Sequence, residues 1–262
     1  MESRKENVAQ HQNACARVAL QFRSPWLRHY VRGKLRSDGI YSAAYDLLGR
    51  SAEPILDVGC GLGLLAFYLR ERGCAQPILG LDLDARKIGY GASIAARAYR
   101  DVELRFLNVE NALPDFCGNV VLFDVLHYLP PRAQTALLSE LARCVAPGGL
   151  LVIRDSIREM RPRYWMTWLA EKFAQTISWN VDGVLHFPSR GSIDNVFCSG
   201  EFERESHPLW GRSPFNNHIF IFRRNAVAGI GDPGWEKTPA QAGISDPGYN
   251  ERNATAIVPA AG

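Results

Sequence analysis

The sequence predicts an α/β domain built around a mostly parallel sheet, and three observations carry that expectation. From about residue 53 to 224, short aliphatic or β-branched runs alternate with longer stretches of helical periodicity, the pattern of successive βαβ units. The first of these runs, Ile55-Leu56-Asp57-Val58, leads directly into the glycine turn Gly59-Cys60-Gly61-Leu62-Gly63 and then a helix. Finally, 262 residues with 47% hydrophobic side chains suffice for one large core and leave little for a second.

In chain order, the first segment (residues 1–50) starts polar, without the apolar centre of a secretion signal, and gains helical character from Trp26 to Leu48. The central domain (51–224) holds predicted strands at 54–58, 77–81, 103–107, 120–124 and 150–154. Helices are predicted between them at 64–72, 85–98 and 132–145. In the last of these, Leu137, Leu138, Leu141, Ala142 and Val145 recur at helical spacing and give one apolar face. Beyond Arg154 the periodicity predicts a helix near 164–176 and a short one near 192–197. Two final runs, 202–207 and 218–222, flank a loop of Pro, Gly and Asn and read as an antiparallel pair closing the sheet. The remainder (225–262) holds two near-copies, Ala228 to Trp235 and Ala242 to Tyr249, rich in Gly and Pro; a disordered, dispensable tail is expected there.

Composition narrows the function classes. A net charge of +3 is too small to argue for nucleic acid or membrane as a general partner, so any electrostatic preference has to come from a local cluster. No apolar stretch approaches the ~20 residues needed to cross a bilayer. The six cysteines are scattered, none at CxxC spacing, which suggests neither a zinc site nor a disulfide framework and fits a reducing cytoplasm.

The glycine turn carries the chemistry. Its glycines fall as GxGxG, and an acid, Asp57, precedes them on the strand. A carboxylate there suits a ligand bearing an ammonium group, such as S-adenosylmethionine, and is unhelpful beside a pyrophosphate. A second aliphatic run, Ile78-Leu79-Gly80-Leu81, ends in Asp82, nineteen residues past Gly63, the distance at which Rossmann-like folds use an acid to accept from both ribose hydroxyls. Asp84 fits the N-cap of the following helix.

Asp57 to Gly63, Leu79 to Asp82, the 120–124 run with Val125-Leu126-His127-Tyr128-Leu129, and Ala146-Pro147-Gly148-Gly149-Leu150 together resemble the successive motifs of class I S-adenosylmethionine-dependent methyltransferases. The resemblance spans roughly residues 50–224. It implies a Rossmann-like, three-layer α/β/α domain with seven strands, mostly parallel with an antiparallel last strand. The cofactor would lie across the ends of the first, second and fourth strands, held by Asp57, Gly59, Cys60, Gly61, Asp82, Leu83, Asn108, Val109 and Asp124; no metal is implied. In one departure, Asn108 and Val109 stand where the family usually has an acid for the adenine amine; an Asn oxygen can still accept there, whereas Val109 offers only backbone and packing. The segments Tyr30 to Leu35 and Ser213 to Asn217 are similar to a bacterial subgroup that accompanies aryl-polyene or other polyketide-type pigment pathways.

Methyl transfer asks the protein to position a nucleophile and, where needed, remove its proton. His127 is the candidate general base, with hydrogen bonding to a backbone carbonyl as its alternative role. Arg154 and Asp155 either bind a substrate carboxylate or phenol or pair with each other. The aromatic stretch 161–168, with Trp179 and His186, sits where the family inserts substrate caps. On the N-terminal helix, Arg28, Arg32 and Arg36 share a face, read either as a solvated stripe or as a dock for an acidic carrier protein bearing the substrate. Tyr30 and Lys34 share another face, able to close over the cofactor. The function expected is methylation of O or C on a small aromatic or polyketide-like acceptor. One alternative is a cofactor-binding protein without turnover, supported by Asn108 and Val109. Another, a nicotinamide-dependent oxidoreductase, is disfavoured by Asp57 and the missing third glycine of that fingerprint. Methylation of nucleic-acid amino groups is disfavoured because no Pro-Pro-aromatic run follows Asp124.

Overall fold

The computed structural model describes residues 2–158, 184–197, 200–209 and 216–226. Three helices come first: α1 (Glu2–Leu20), α2 (Pro25–Ser37) and α3 (Ile40–Leu48). Then β1 (Ile55–Val58), α4 (Leu64–Glu71), β2 (Ile78–Asp82), α5 (Ala85–Ala98), β3 (Val102–Phe106) and β4 (Asn119–Phe123) alternate. A 3-10 turn (Leu126–Tyr128), α6 (Pro131–Cys144), β5 (Leu150–Ser156), α7 (Arg190–Asp194), β6 (Phe202–Pro208) and β7 (Asn217–Arg224) complete the domain.

The seven strands form one sheet in the order β3-β2-β1-β4-β5-β7-β6. Neighbours from β3 through β5 pair in parallel, while β7 runs antiparallel to both β5 and β6. Strand order reverses between β1 and β4, and in open α/β sheets that switch point leaves a crevice at the carboxyl ends of the strands. Both faces of the sheet are covered, so its central strands bury every other residue to opposite sides. On β4, Val121 joins the core under α1–α5 while Val120 and Leu122 join the one under α6 and α7. The same division separates Leu150 and Val152 from Leu151 and Ile153 on β5, and Ile219 and Ile221 from Phe220 and Phe222 on β7.

The seven predicted strands all form, with ends shifted by a residue or two. β5 extends to Ser156 because β7 pairs along its whole length, from Leu150 opposite Arg223 to Ser156 opposite Asn217. α1 lies within the N-terminal helical segment expected over 1–50, but ahead of the stretch from Trp26 to Leu48 that the sequence singles out as helical. Only its second half carries an apolar face (Ala14, Cys15, Val18, Ala19), and its polar half is held by side chains of α4 and the turn after it: Tyr68 Oη lies 2.8 Å from His11 Nδ1, and Arg72 donates to Asn7. The short helix expected near 192–197 lies slightly earlier, started by a reciprocal Ser189/Ser192 capping box. The helix expected at 164–176, the aromatic stretch 161–168, Trp179 and the tail beyond Ala226 lie outside the described residues. Among those described, no helix is long and apolar enough to cross a membrane.

Helix α5 tests the packing directly, because it holds two glycines in opposite surroundings. A Cβ on Gly89 meets nothing within 4 Å, whereas one on Gly91 falls 2.7 Å from both the Leu62 carbonyl oxygen and Leu104 Cδ1. Gly89→Ala should therefore raise stability by about 0.5–1 kcal/mol, the ordinary gain in helix propensity. Gly91→Ala should lower it by about 1–3 kcal/mol, since backbone on the facing loop cannot yield. Chemical denaturation of both variants checks this; equal effects would mean α5 does not abut the glycine turn.

Candidate active site

The site is built from the carboxyl ends of β1, β2, β3 and β4. At the end of β1 the chain turns through Gly59, whose φ of 77° is left-handed; a Cβ there would lie 2.2 Å from Val125 Cγ2. The backbone N–H groups of Gly59 and Cys60 both donate to the Leu81 carbonyl, at 2.8 and 3.0 Å, which pins the turn to β2. Asp82, the last residue of β2, completes the brace: its Oδ2 accepts from Gly61 N–H and its Oδ1 from Asp84 N–H, each at 2.8 Å. Asp84 caps α5 by accepting from the backbone of Arg86 and Lys87.

Asp57 is 3% exposed, and its Oδ2 has no hydrogen-bond partner among the described residues. Burial, reinforced by the charge of Asp82, pushes its carboxyl up to about 7. A buried acid left in this condition is poised for a cation. At the end of β3, Asn108 accepts from Glu110 N–H at 3.0 Å through its side-chain oxygen, folding the chain into a local turn beside Val109.

At the end of β4, Asp124 adopts a left-handed φ of 57°, a conformation that Asp tolerates better than most residues and that recurs at functional sites. Its carboxylate pairs with Arg154 of β5, whose guanidinium also donates to both oxygens of Asp38, at 3.1 and 3.3 Å. Asp38 closes α2 and accepts from Ile40 N–H at 3.2 Å, so Arg154 ties the sheet edge to the junction of α2 and α3. Lys34 Nζ stands 3.9 Å from Asp38. Beside them the Tyr41 phenol is held well above its ordinary pKa by burial and by Asp38.

These ends enclose a cavity of about 910 Å³. All nine residues expected to hold the cofactor line it: Asp57, Gly59, Cys60, Gly61, Asp82, Leu83, Asn108, Val109 and Asp124. Tyr30 and Lys34 line it too, as expected from their shared helix face, with Ile40, Tyr41, Val125, Tyr128, Leu129 and Arg154.

His127 is not brought to the cavity. It is 2% exposed, its Nδ1 lies 2.7 Å from Asp155 Oδ1, and its ring stacks on Phe187. Asp155 in turn accepts from the backbone of Leu126 (3.0 Å) and Ser156 (2.8 Å). The pair supports the 3-10 turn from beneath, leaving the next residues, Tyr128 and Leu129, in the cavity wall. Nor do Arg154 and Asp155 pair with each other: adjacent on a strand, they point to opposite faces. The residues that sequence reasoning missed are Asp38, Tyr41, Tyr128 and Leu129. For Asp38 the only signal was the break Asp38-Gly39 after a basic helix, which marks a turn but names no partner.

Comparison with known proteins agrees with this geometry. A family model described as a methyltransferase domain matches residues 27–228. A carboxy-S-adenosyl-L-methionine synthase of Citrifermentans bemidjiense is 28% identical over 130 residues, 47% of this chain and 52% of that protein, so the chain spans about half the length of that relative. A ubiquinone biosynthesis O-methyltransferase of Psychrobacter cryohalolentis is 24% identical over 186 residues, covering 69% of this chain and 70% of that one. Among solved structures, magnesium protoporphyrin IX methyltransferase of Synechocystis with bound S-adenosylhomocysteine superposes with a TM-score of 0.55 at 16% identity, over 78% of this chain and 90% of that one. The last is a likeness of fold alone. The chain belongs to the methyltransferase-domain family.

Proposed function

We propose that this chain transfers a methyl group from S-adenosylmethionine to oxygen or carbon of a small, aromatic or polyketide-like acceptor. The observation that carries the reading is the buried, unpartnered oxygen of Asp57 under a glycine turn braced by Asp82. A ligand with an ammonium group, a sulfonium and a ribose diol matches that donor and acceptor pattern; a pyrophosphate would meet carboxylates at every turn.

In this reading Asp57 takes the ammonium group. Asp82 has one lone-pair site on each oxygen engaged by backbone and keeps others for the ribose hydroxyls. Gly59 and Gly61 let main chain approach the ligand, and Leu83 and Val109 pack the adenine ring, whose amine falls to Asn108. When bound, the cofactor supplies a methyl group already activated by its sulfonium. The acceptor then occupies the other end, walled by Tyr30, Tyr41, Tyr128 and Leu129, aromatic and aliphatic surfaces suited to a flat ring. Asp124 is the carboxylate at that end. Arg154 holds one of its oxygens, and the group is placed to accept a proton from an acceptor hydroxyl. His127 is a positioning residue that fixes the turn carrying Tyr128.

Calorimetry on the full chain tests the cofactor. Asp82→Ala should weaken S-adenosylmethionine binding by roughly 10–100-fold, the value of one or two hydrogen bonds to a charged group, and NADH should not bind. Asp57 gives a pH dependence of known sign. Its carboxyl is raised from 3.8 to about 7 in the folded chain, so the ligand-free fold binds the proton more tightly than the unfolded chain does. The stability from that proton is present below pH 4 and is lost as pH rises to about 7. Cation binding needs the ionised form, so affinity should climb up to about tenfold per pH unit and level off above 7; in Asp57→Asn the slope should vanish. A flat profile in the unmodified protein would remove Asp57 from the ammonium site.

The acceptor wall depends on Arg154. Arg154→Met leaves Asp124 without its counter-ion and Asp38 with Lys34 alone, and should cost about 1–3 kcal/mol in denaturation experiments. Arg154→Lys should recover only part of that, because one ammonium cannot reach both acids.

A further inference from the structure

The first fifty residues carry nine Lys or Arg and four Asp or Glu, while the other 212 residues carry 21 and 23. The chain's modest net charge therefore conceals a basic N-terminal segment and a slightly acidic remainder. Within that segment, α2 has no acidic residue between Pro25 and Ser37. Its sides divide cleanly. Val31 and Leu35 are buried in the core, Tyr30 and Lys34 line the cavity, and Arg32 and Arg36 are exposed on the outer side. Among the described residues no acid pairs with them: Asp38 is taken by Arg154 and Lys34, Glu71 by Arg17, while Arg28 donates to the Phe22 carbonyl and keeps its charge. The uncompensated charge reaches α1, where burial together with Arg72 and Arg36 holds the His11 pKa below its ordinary value.

The same corner also carries exposed apolar surface. Of the six large hydrophobic side chains exposed among the described residues, Leu20 (64%) and Trp26 (61%) flank the turn between α1 and α2, with exposed Arg23 between them in sequence. Trp26 stacks on Tyr30 with ring planes 4° apart and centroids at 5.8 Å, so it stands next to a residue of the cavity wall.

We propose that this face (Leu20, Arg23, Trp26, Arg32 and Arg36) docks the enzyme on an anionic lipid surface. Arginines near such a surface gain by charge attraction, and an indole beside an aliphatic side chain is the pairing that settles at the boundary of headgroup and acyl chain. An acidic protein or a nucleic acid would use the arginines but has no need of exposed Leu20, and two or three phosphate contacts give weak nucleic-acid binding at cellular salt. Docking on this side sets the α2 flank of the cavity beside the membrane, where an acceptor with a lipid-like tail would be held. The proposal goes beyond the methyl-transfer reading and does not require it, because vesicle binding needs neither cofactor nor acceptor.

Co-sedimentation of the full chain with vesicles tests it, comparing equal parts phosphatidylglycerol and phosphatidylcholine with phosphatidylcholine alone. Binding is expected to the anionic vesicles, reversed by raising salt, and not to the neutral ones. A double charge reversal, Arg32→Glu with Arg36→Glu, should lower the partition coefficient by on the order of tenfold or more. Leu20→Ser with Trp26→Ser should lower it by roughly fivefold at unchanged charge. Thermal midpoints near that of the unmodified chain establish that the variants fold. No binding to anionic vesicles at low salt would overturn the proposal, as would binding that both double variants retain. Binding lost on charge reversal but indifferent to Leu20 and Trp26 would overturn it in favour of an acidic protein or nucleic acid.

Discussion

One buried guanidinium joins the two parts of the molecule that enclose the cavity. Arg154 leaves β5 on the side of the N-terminal helices and reaches Asp124 on β4 and Asp38 between α2 and α3. Burying an arginine is tolerable only when its charge is met and its donors are occupied, and a planar fork can satisfy two carboxylates where a single ammonium cannot. With both acids in place, the roof made by α2 and α3 is held to the edge of the sheet. Tyr30, Lys34, Ile40 and Tyr41 become cavity wall through that tie as much as through the packing of Val31 and Leu35. Asp124, in its left-handed conformation, is itself tied down by the bridge.

The residue next to Arg154 shows how a period of two distributes work across a sheet. Asp155 faces the other layer, where it receives His127, the Leu126 amide and the Ser156 amide. Gln134 of α6 joins from the same side by donating to the carbonyls of Leu126, Leu129 and His186. The 3-10 turn after β4 is thus fixed from below by a buried polar network, with Tyr128 and Leu129 left in the cavity wall. Such a network has value only when its members are satisfied together, and here it substitutes for the regular secondary structure that the turn lacks.

Local patterns made most of this fold legible in advance. Strands buried on both faces read as aliphatic runs, the glycine turn announced itself through residue type, and Asp57 and Asp82 follow from their places at strand ends. What escaped the sequence depended on distance or on partners. α1 was not singled out within the N-terminal helical segment because its first half is polar and is held by Tyr68 and Arg72, with an apolar stripe only in its second half. Asp38 lies 116 residues from the arginine it meets, and no spacing rule connects them. His127 carried the chemistry of a base in its side chain, but the direction of that side chain is set by Asp155 and Phe187, which only the tertiary fold brings near. Residue type disclosed what these groups can do, and packing decided which of them line the cavity.

The charges around the cavity also orient what enters it. At the glycine turn, Asp57, Asp82, Asp84 and Glu110 outnumber the nearby cations Arg86 and Lys87. At the opposite end Lys34 and Arg154 balance Asp38 and Asp124 through their mutual contacts. A positively charged ligand is therefore drawn to one end and finds no net attraction at the other, while an uncharged ring is penalised only where it would strip water from unpaired acids. The two substrates of a methyl transfer differ in this way, one cationic and one commonly neutral. In the proposed reaction that asymmetry would separate the two before any specific contact forms, and the acceptor would be sorted by the shape of the Tyr30, Tyr41 and Tyr128 wall.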